Sequence, residues 1–258
     1  MRYGDLAADS TGTDEHQPAL VLLHGLTFNR GHWAPVLAEP VIARSDRRIV
    51  NFDLPGHGES PRQDSYNLTD MVEVLHTAIT AARLASPVVV GHSAAAVLAT
   101  AYAARHPVRG VVNIDQPLQV GGFADFLRQY APMLNSDDYL KVWEMLLAGM
   151  HVDELPPAAR ELVRTASTPR QDLFLGYWKE LIDAPAGQTD ENMTRALAAI
   201  RATGVPYQYI AGSAVDPGYR AWLAAALPEA QITELPGSGH FPHLVHPAEV
   251  AKAITQRL

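Results

Sequence analysis

Cysteine is absent from all 258 residues. That excludes disulfides, a cysteine nucleophile and thiolate metal ligands. Basic clusters are scarce too: 20 Lys and Arg are set against 28 Asp and Glu, for a formal net charge of −8. A nucleic-acid partner, which needs gathered Lys and Arg against phosphate, is not expected. Apolar runs such as Pro18–Leu23 fall far short of the roughly 20 residues that cross a bilayer. The first residues, Met1–Leu6, lack the apolar segment of a signal peptide. These absences lead to the expectation of a cytoplasmic protein that engages no membrane and acts on a small molecule, with its oligomeric state left open.

What is present is a rhythm. Short apolar runs at Ala19–Leu23, Arg48–Phe52, Pro87–Val90, Val108–Ile114, Tyr207–Ala211 and Gln231–Leu235 end in Gly, Asp or Pro, as buried strands do at their carboxyl ends. Helical periodicity fills the gaps. Met71, Val74, Leu75, Ala78, Ile79 and Ala82 define one apolar face, and Asn67 or Thr69 can cap it. Alternation of this kind predicts an α/β protein with a parallel sheet covered on both faces. Between about Gln119 and Thr203 the strands stop and only helical segments continue, which reads as a helical cap over the carboxyl edge of the sheet. The expected division is a core of 1–118 and 204–258 with a cap of 119–203.

Four motifs carry chemistry. In Val88-Val89-Val90-Gly91-His92-Ser93-Ala94-Ala95 a strand turns sharply into a helix. A serine at such a turn is lifted above the sheet, and small residues must flank it where strand and helix approach. Ser93 is the expected nucleophile, with Ala95 where a second glycine usually stands. In Gly237-Ser238-Gly239-His240-Phe241-Pro242-His243 a Gly-rich loop can swing His240 over that serine as general base. Histidines 240, 243 and 246 lack the spacing of a helical zinc motif, so neither metal nor cofactor is expected. His24-Gly25-Leu26 can aim the Leu26 N–H at the same point as that of Ala94, forming an oxyanion hole. For the carboxylate that orients His240, Asp216 after Tyr207–Ala211 is favoured, and Asp115 after Val108–Ile114 stays in contention. Asp53, in a Gly-rich turn, reads as structural.

With Asp53-Leu54-Pro55-Gly56-His57-Gly58-Glu59-Ser60 added, these motifs resemble the α/β-hydrolase superfamily in the right order and over nearly the whole chain. The resemblance implies an eight-stranded, mostly parallel sheet with an inserted helical cap, and two short strands before Ala19. It implies hydrolysis of an ester or lactone through an acyl-enzyme. One departure bears on the acid: the stretch from Gly212 to the helix containing Trp222 is about three residues shorter than the resemblance implies. Trp143, Met145, Phe174, Tyr177 and Trp178 supply apolar surface in the cap and are candidates for the substrate pocket. Alternatives within the fold are C–C bond hydrolases, cofactor-free lyases and acyltransferases, and outside enzymology a low-turnover ligand-binding protein.

Overall fold

The structure is a computed structural model that describes residues 1–14 and 16–256. Its strands are β1 (Arg2–Tyr3), β2 (Leu6–Thr11), β3 (Leu20–Leu23), β4 (Ile49–Phe52), β5 (Val88–His92), β6 (Gly110–Ile114), β7 (Tyr207–Ala211) and β8 (Gln231–Glu234). They form one eight-stranded sheet in the order β1-β2-β4-β3-β5-β6-β7-β8. Only the first two strands run antiparallel to their neighbours; β3 to β8 are parallel. Every residue of β3 to β7 is buried. This is why the central strands read as unbroken apolar runs and not as alternating ones: both faces are covered, so neither parity of side chain meets water.

The alternation survives in what each face packs against. Val21 and Leu23 join Val89 and Val111 in a cluster with the helices Leu68–Ala81 and Ala94–Ala103. Leu20 and Leu22 point the other way, to Trp33, Val36, Val250 and Ile254. Helix Leu68–Ala81 forms as its pattern predicts, buries Met71, Leu75, Ala78 and Ile79, and is capped by Asn67, whose side chain accepts from the Asp70 N–H.

Between β6 and β7 lie only helices among the described residues, from Gly121–Leu134 to Gln188–Thr203. They do not act as one unit. Met193, Leu197 and Ile200 make the apolar stripe of the last helix and pack into the sheet-face cluster. Residues of the earlier helices, including Trp143, Val163 and Phe174, instead join a third cluster with Leu26, Phe28 and Phe241, at the ends of the strands. The last helix, inside the stretch 119–203 expected as cap, thus packs apart from the others. The helices standing over the edge end near Asp183, and the final one is a sheet-covering crossover.

Register puts that edge in order. Leu23 pairs with Gly91, and His92 pairs with Ile114. Just beyond these strand ends Ser93 therefore emerges level with Asp115, and His24 level with His92. At the turn after β5 a Cβ on Gly91 would lie 2.3 Å from the Ala95 carbonyl oxygen and 2.7 Å from Ala96 Cα. Ala95, where a second glycine was expected, is itself buried. Gly91→Ala is expected to cost about 1–3 kcal/mol in urea unfolding through overpacking, whereas Ala95→Gly costs under about 1 kcal/mol through helix propensity. A larger loss for Ala95→Gly would contradict this account of the turn.

Candidate active site

Three residues at the strand ends hold a positive φ without being glycine: Thr27 at 72°, Ser93 at 56° and Asp115 at 53°. Such conformations cost of order 1–3 kcal/mol each and persist only where surroundings enforce them. Ser93 is enforced by the strand-to-helix turn, with its N–H donating to the Ile114 carbonyl at 3.1 Å. Asp115 is enforced from both sides, because its N–H donates to the Ile210 carbonyl at 2.8 Å and its Oδ1 accepts from the Gly212 N–H at 2.7 Å.

The other carboxylate oxygen, Asp115 Oδ2, lies 2.8 Å from His240 Nδ1. Both side chains are mostly shielded, each 16% exposed. A carboxylate cannot donate, so it is Nδ1 that carries a proton toward Asp115, with Nε2 on the far side of the ring. Asp216, the carboxylate favoured from sequence, does something else. It caps the helix Pro217–Ala226, with Oδ1 accepting from the Tyr219 N–H at 2.9 Å. The short stretch after β7 explains the difference: the helix begins at once, and its first turn takes up Asp216 as a cap before any loop can carry it toward His240.

The loop bearing His240 is pinned from below. His92 Nε2 donates to the His240 carbonyl at 2.8 Å, and the His92 and His240 rings stand 4.9 Å apart. Gly25 abuts the same place, since a Cβ there would be 3.2 Å from Ser93 Cβ. The turn carrying Leu26 is thereby brought against Ser93. The N–H groups of Leu26 and Ala94 have no acceptor among the described residues, and both residues border the third apolar cluster.

Two more histidines hold this turn. His24 Nδ1–H donates to the Gly25 carbonyl at 2.8 Å, and Nε2 accepts from the Leu54 N–H at 3.0 Å. His57 Nδ1–H donates to the Pro55 carbonyl at 2.9 Å, and Nε2 accepts from the Thr27 N–H at 3.1 Å. Each imidazole works as donor and acceptor at once, which only the neutral ring can do. His57 and Thr27 escaped the sequence reading; the one signal was His57 inside the Gly-rich 53–60 motif. That motif's Asp53 is structural as expected, accepting from the Arg30 and Glu59 N–H groups and pairing with the Arg30 guanidinium.

Residues 20–253 match the alpha/beta hydrolase family. The chain belongs to that family. It is 28% identical over 254 residues to a pimeloyl-[acyl-carrier protein] methyl ester esterase of Chromobacterium violaceum, covering 93% of this chain and 94% of that one. It is 31% identical over 261 residues to the enzyme of the same name from Xanthomonas oryzae pv. oryzae, again over 93% and 94%. Among solved structures it resembles a thermophilic esterase from Thermogutta terrifontis with a TM-score of 0.77, 19% identity and coverage of 96% and 91%.

In this α/β-hydrolase the pocket candidates are divided. Trp143, Phe174 and Trp178 are buried in the cluster that contains Leu26, Phe28 and Phe241, with Phe174 stacked on Trp178 at 4.8 Å and Trp143 6.3 Å from Phe28. Tyr177 instead faces the core loop, its hydroxyl donating to the Pro55 carbonyl at 2.9 Å. Met145 lies on the surface.

The turn-holding histidines make the hydrolase acid-sensitive. Burial pulls His24 down from 6.5 to about 4 and His57 from 6.5 to about 3. Unfolding frees both rings to bind protons near pH 6.5, so stability is complete above that value and declines as pH falls toward the folded values. Each ring contributes a slope of about 1.4 kcal/mol per pH unit within its window. The urea midpoint should drop between pH 6.5 and 4.5, before most carboxylates titrate. A flat midpoint over that range would contradict the neutral-imidazole assignment.

Proposed function

We propose that the chain is a serine hydrolase acting on a carboxylic ester with a largely apolar acyl group, through an acyl-enzyme. The observation that carries this reading is the Asp115–His240 hydrogen bond of 2.8 Å at the sheet edge where Ser93 is held at φ 56°. With Nδ1 protonated and tied to Asp115, His240 presents a basic Nε2. That nitrogen takes the Ser93 hydroxyl proton as Oγ attacks the ester carbonyl. The imidazolium is steadied by the Asp115 carboxylate, and the oxyanion is received by the Leu26 and Ala94 N–H groups, each such donor being worth about 3 kcal/mol. The imidazolium then gives its proton to the leaving alcohol, and water repeats the sequence to release the acid.

The helices Gly121–Leu134 to Lys179–Asp183 serve as the cap in this reading, and Trp143, Phe174 and Trp178 shape the acyl side of the pocket. Ester cleavage is favoured over the other chemistries of the fold because both full-length relatives named above are methyl ester esterases.

Ser93→Ala is expected to lower kcat on an aryl ester by about 10⁵–10⁶-fold and to abolish fluorophosphonate labelling. Labelling of the wild type with negligible turnover of any ester would instead indicate a binding protein. The two carboxylates should separate cleanly. Asp115→Asn lowers kcat about 10⁴-fold by upsetting the imidazole tautomer. Asp216→Ala leaves kcat unchanged and costs about 1 kcal/mol of stability through the lost cap. A large kcat loss in Asp216→Ala with a small one in Asp115→Asn would overturn the assignment.

A further inference from the structure

Three imidazoles from separate parts of the chain meet beneath Ser93. His32 lies in the helical turn Arg30–Trp33, His92 ends β5, and His243 lies in the turn Pro242–Val245. All three are fully buried. Each offers one ring nitrogen, and those nitrogens lie within 4.8 Å of one another. The ring centres are 4.9 Å apart for His32 and His243 and 4.3 Å apart for His92 and His243.

Burial holds each ring below its ordinary value, so each is neutral, with one N–H and one lone pair. His92 spends its N–H on the His240 carbonyl at 2.8 Å, which leaves Nδ1 as a lone pair with no protein donor. His32 Nδ1 and His243 Nε2 meet at 3.2 Å, a contact that uses one proton and one lone pair. His32 Nε2 and His243 Nδ1 have no protein partner among the described residues. Among the described residues His92 Nδ1 is thus a buried lone pair that no protein donor meets.

We propose that His32, His92 and His243 form a binding site for one divalent transition-metal ion, with zinc preferred. The donor set selects the ion. Three neutral imidazoles without a carboxylate do not suit calcium or magnesium, which need oxygen, and do suit zinc and its neighbours. His92 already has the arrangement of a metal-bound imidazole, with the remote N–H anchored on a backbone carbonyl. Zn–N bonds of about 2.0–2.1 Å set tetrahedral nitrogens roughly 3.4 Å apart. His32 Nδ1 and His243 Nε2, 3.2 Å apart, are already near that spacing, and an ion held between them takes the place of their hydrogen bond, each ring then keeping its proton on the other nitrogen. Through the His92–His240 contact, a bound ion braces the loop that carries His240. The sequence spacing gave no sign of this site, because two of its three ligands lie outside the 240–246 stretch.

The site is independent of the serine mechanism and is tested without substrate. Chelator-stripped protein is titrated with Co²⁺, and Zn²⁺ is added in competition. One equivalent of Co²⁺ with the visible bands of a four-coordinate site, displaced by Zn²⁺, is expected. The amide resonances of Gly25 and Ala94 should broaden as Co²⁺ is added, which reads the position of the ion in unsubstituted protein. His32→Gln and His243→Gln should weaken binding by about 100-fold or more, while Ser93→Ala and the surface substitution His16→Gln leave it unchanged. Binding below one equivalent in the wild type overturns the proposal. So does broadening confined to the surface residues Thr13, Asp14, His16 and Asp46, or affinity retained in the His32→Gln, His243→Gln double variant.

Discussion

The 2.8 Å hydrogen bond between Asp115 and His240 joins residues 125 positions apart, and the rest of the site is arranged so that it can form. Asp115 must leave β6 in the left-handed region, and it does so because the Ile210 carbonyl and the Gly212 N–H hold it from the β7 side. His240 must be delivered over β5, and His92 grips its carbonyl from below. The parallel register then places Ser93 level with Asp115, and the close approach of Gly25 sets the Leu26 turn against Ser93. A one-residue slip in β5 or β6 would move these side chains to the opposite face. Register, more than any single contact, is what the proposed chemistry rests on.

Histidine has an uncommon structural part in this protein. His24 and His57 each join two loops by donating from one nitrogen and accepting at the other. His92 and His243 are likewise held neutral by burial. An imidazole kept neutral by burial can satisfy one N–H and one C=O of a tight turn at once, which a hydroxyl does with less reach and a Lys or Arg cannot do at all. The strained Thr27 conformation depends on this device, since its N–H ends on His57 and its carbonyl on the Thr168 N–H.

The helices above the edge contribute apolar surface and little polar chemistry. Trp143, Phe174 and Trp178 fill the space over Leu26 and Phe28, consistent with the apolar acyl group proposed. The last helix of that stretch belongs to the sheet, because its stripe of Met193, Leu197 and Ile200 needs a wide flat surface to cover it.

Local rules sufficed for much of this. The apolar runs, the Gly91–Ser93 turn and the Asn67 cap are each decided by neighbours a few residues away, so the strand–helix order, the position of Ser93 and the Gly-rich loop of His240 were legible in the amino-acid sequence. The partner of His240 was not. Asp115 and Asp216 both follow buried strands, and the difference between them lies in how soon a helix starts after β7 and which backbone groups face the end of β6. The roles of His57 and Thr27, the end of the edge helices near Asp183 and the meeting of His32, His92 and His243 were hidden for the same reason. Each is a relation between segments distant in the chain, and only the packed sheet sets the distances that decide it.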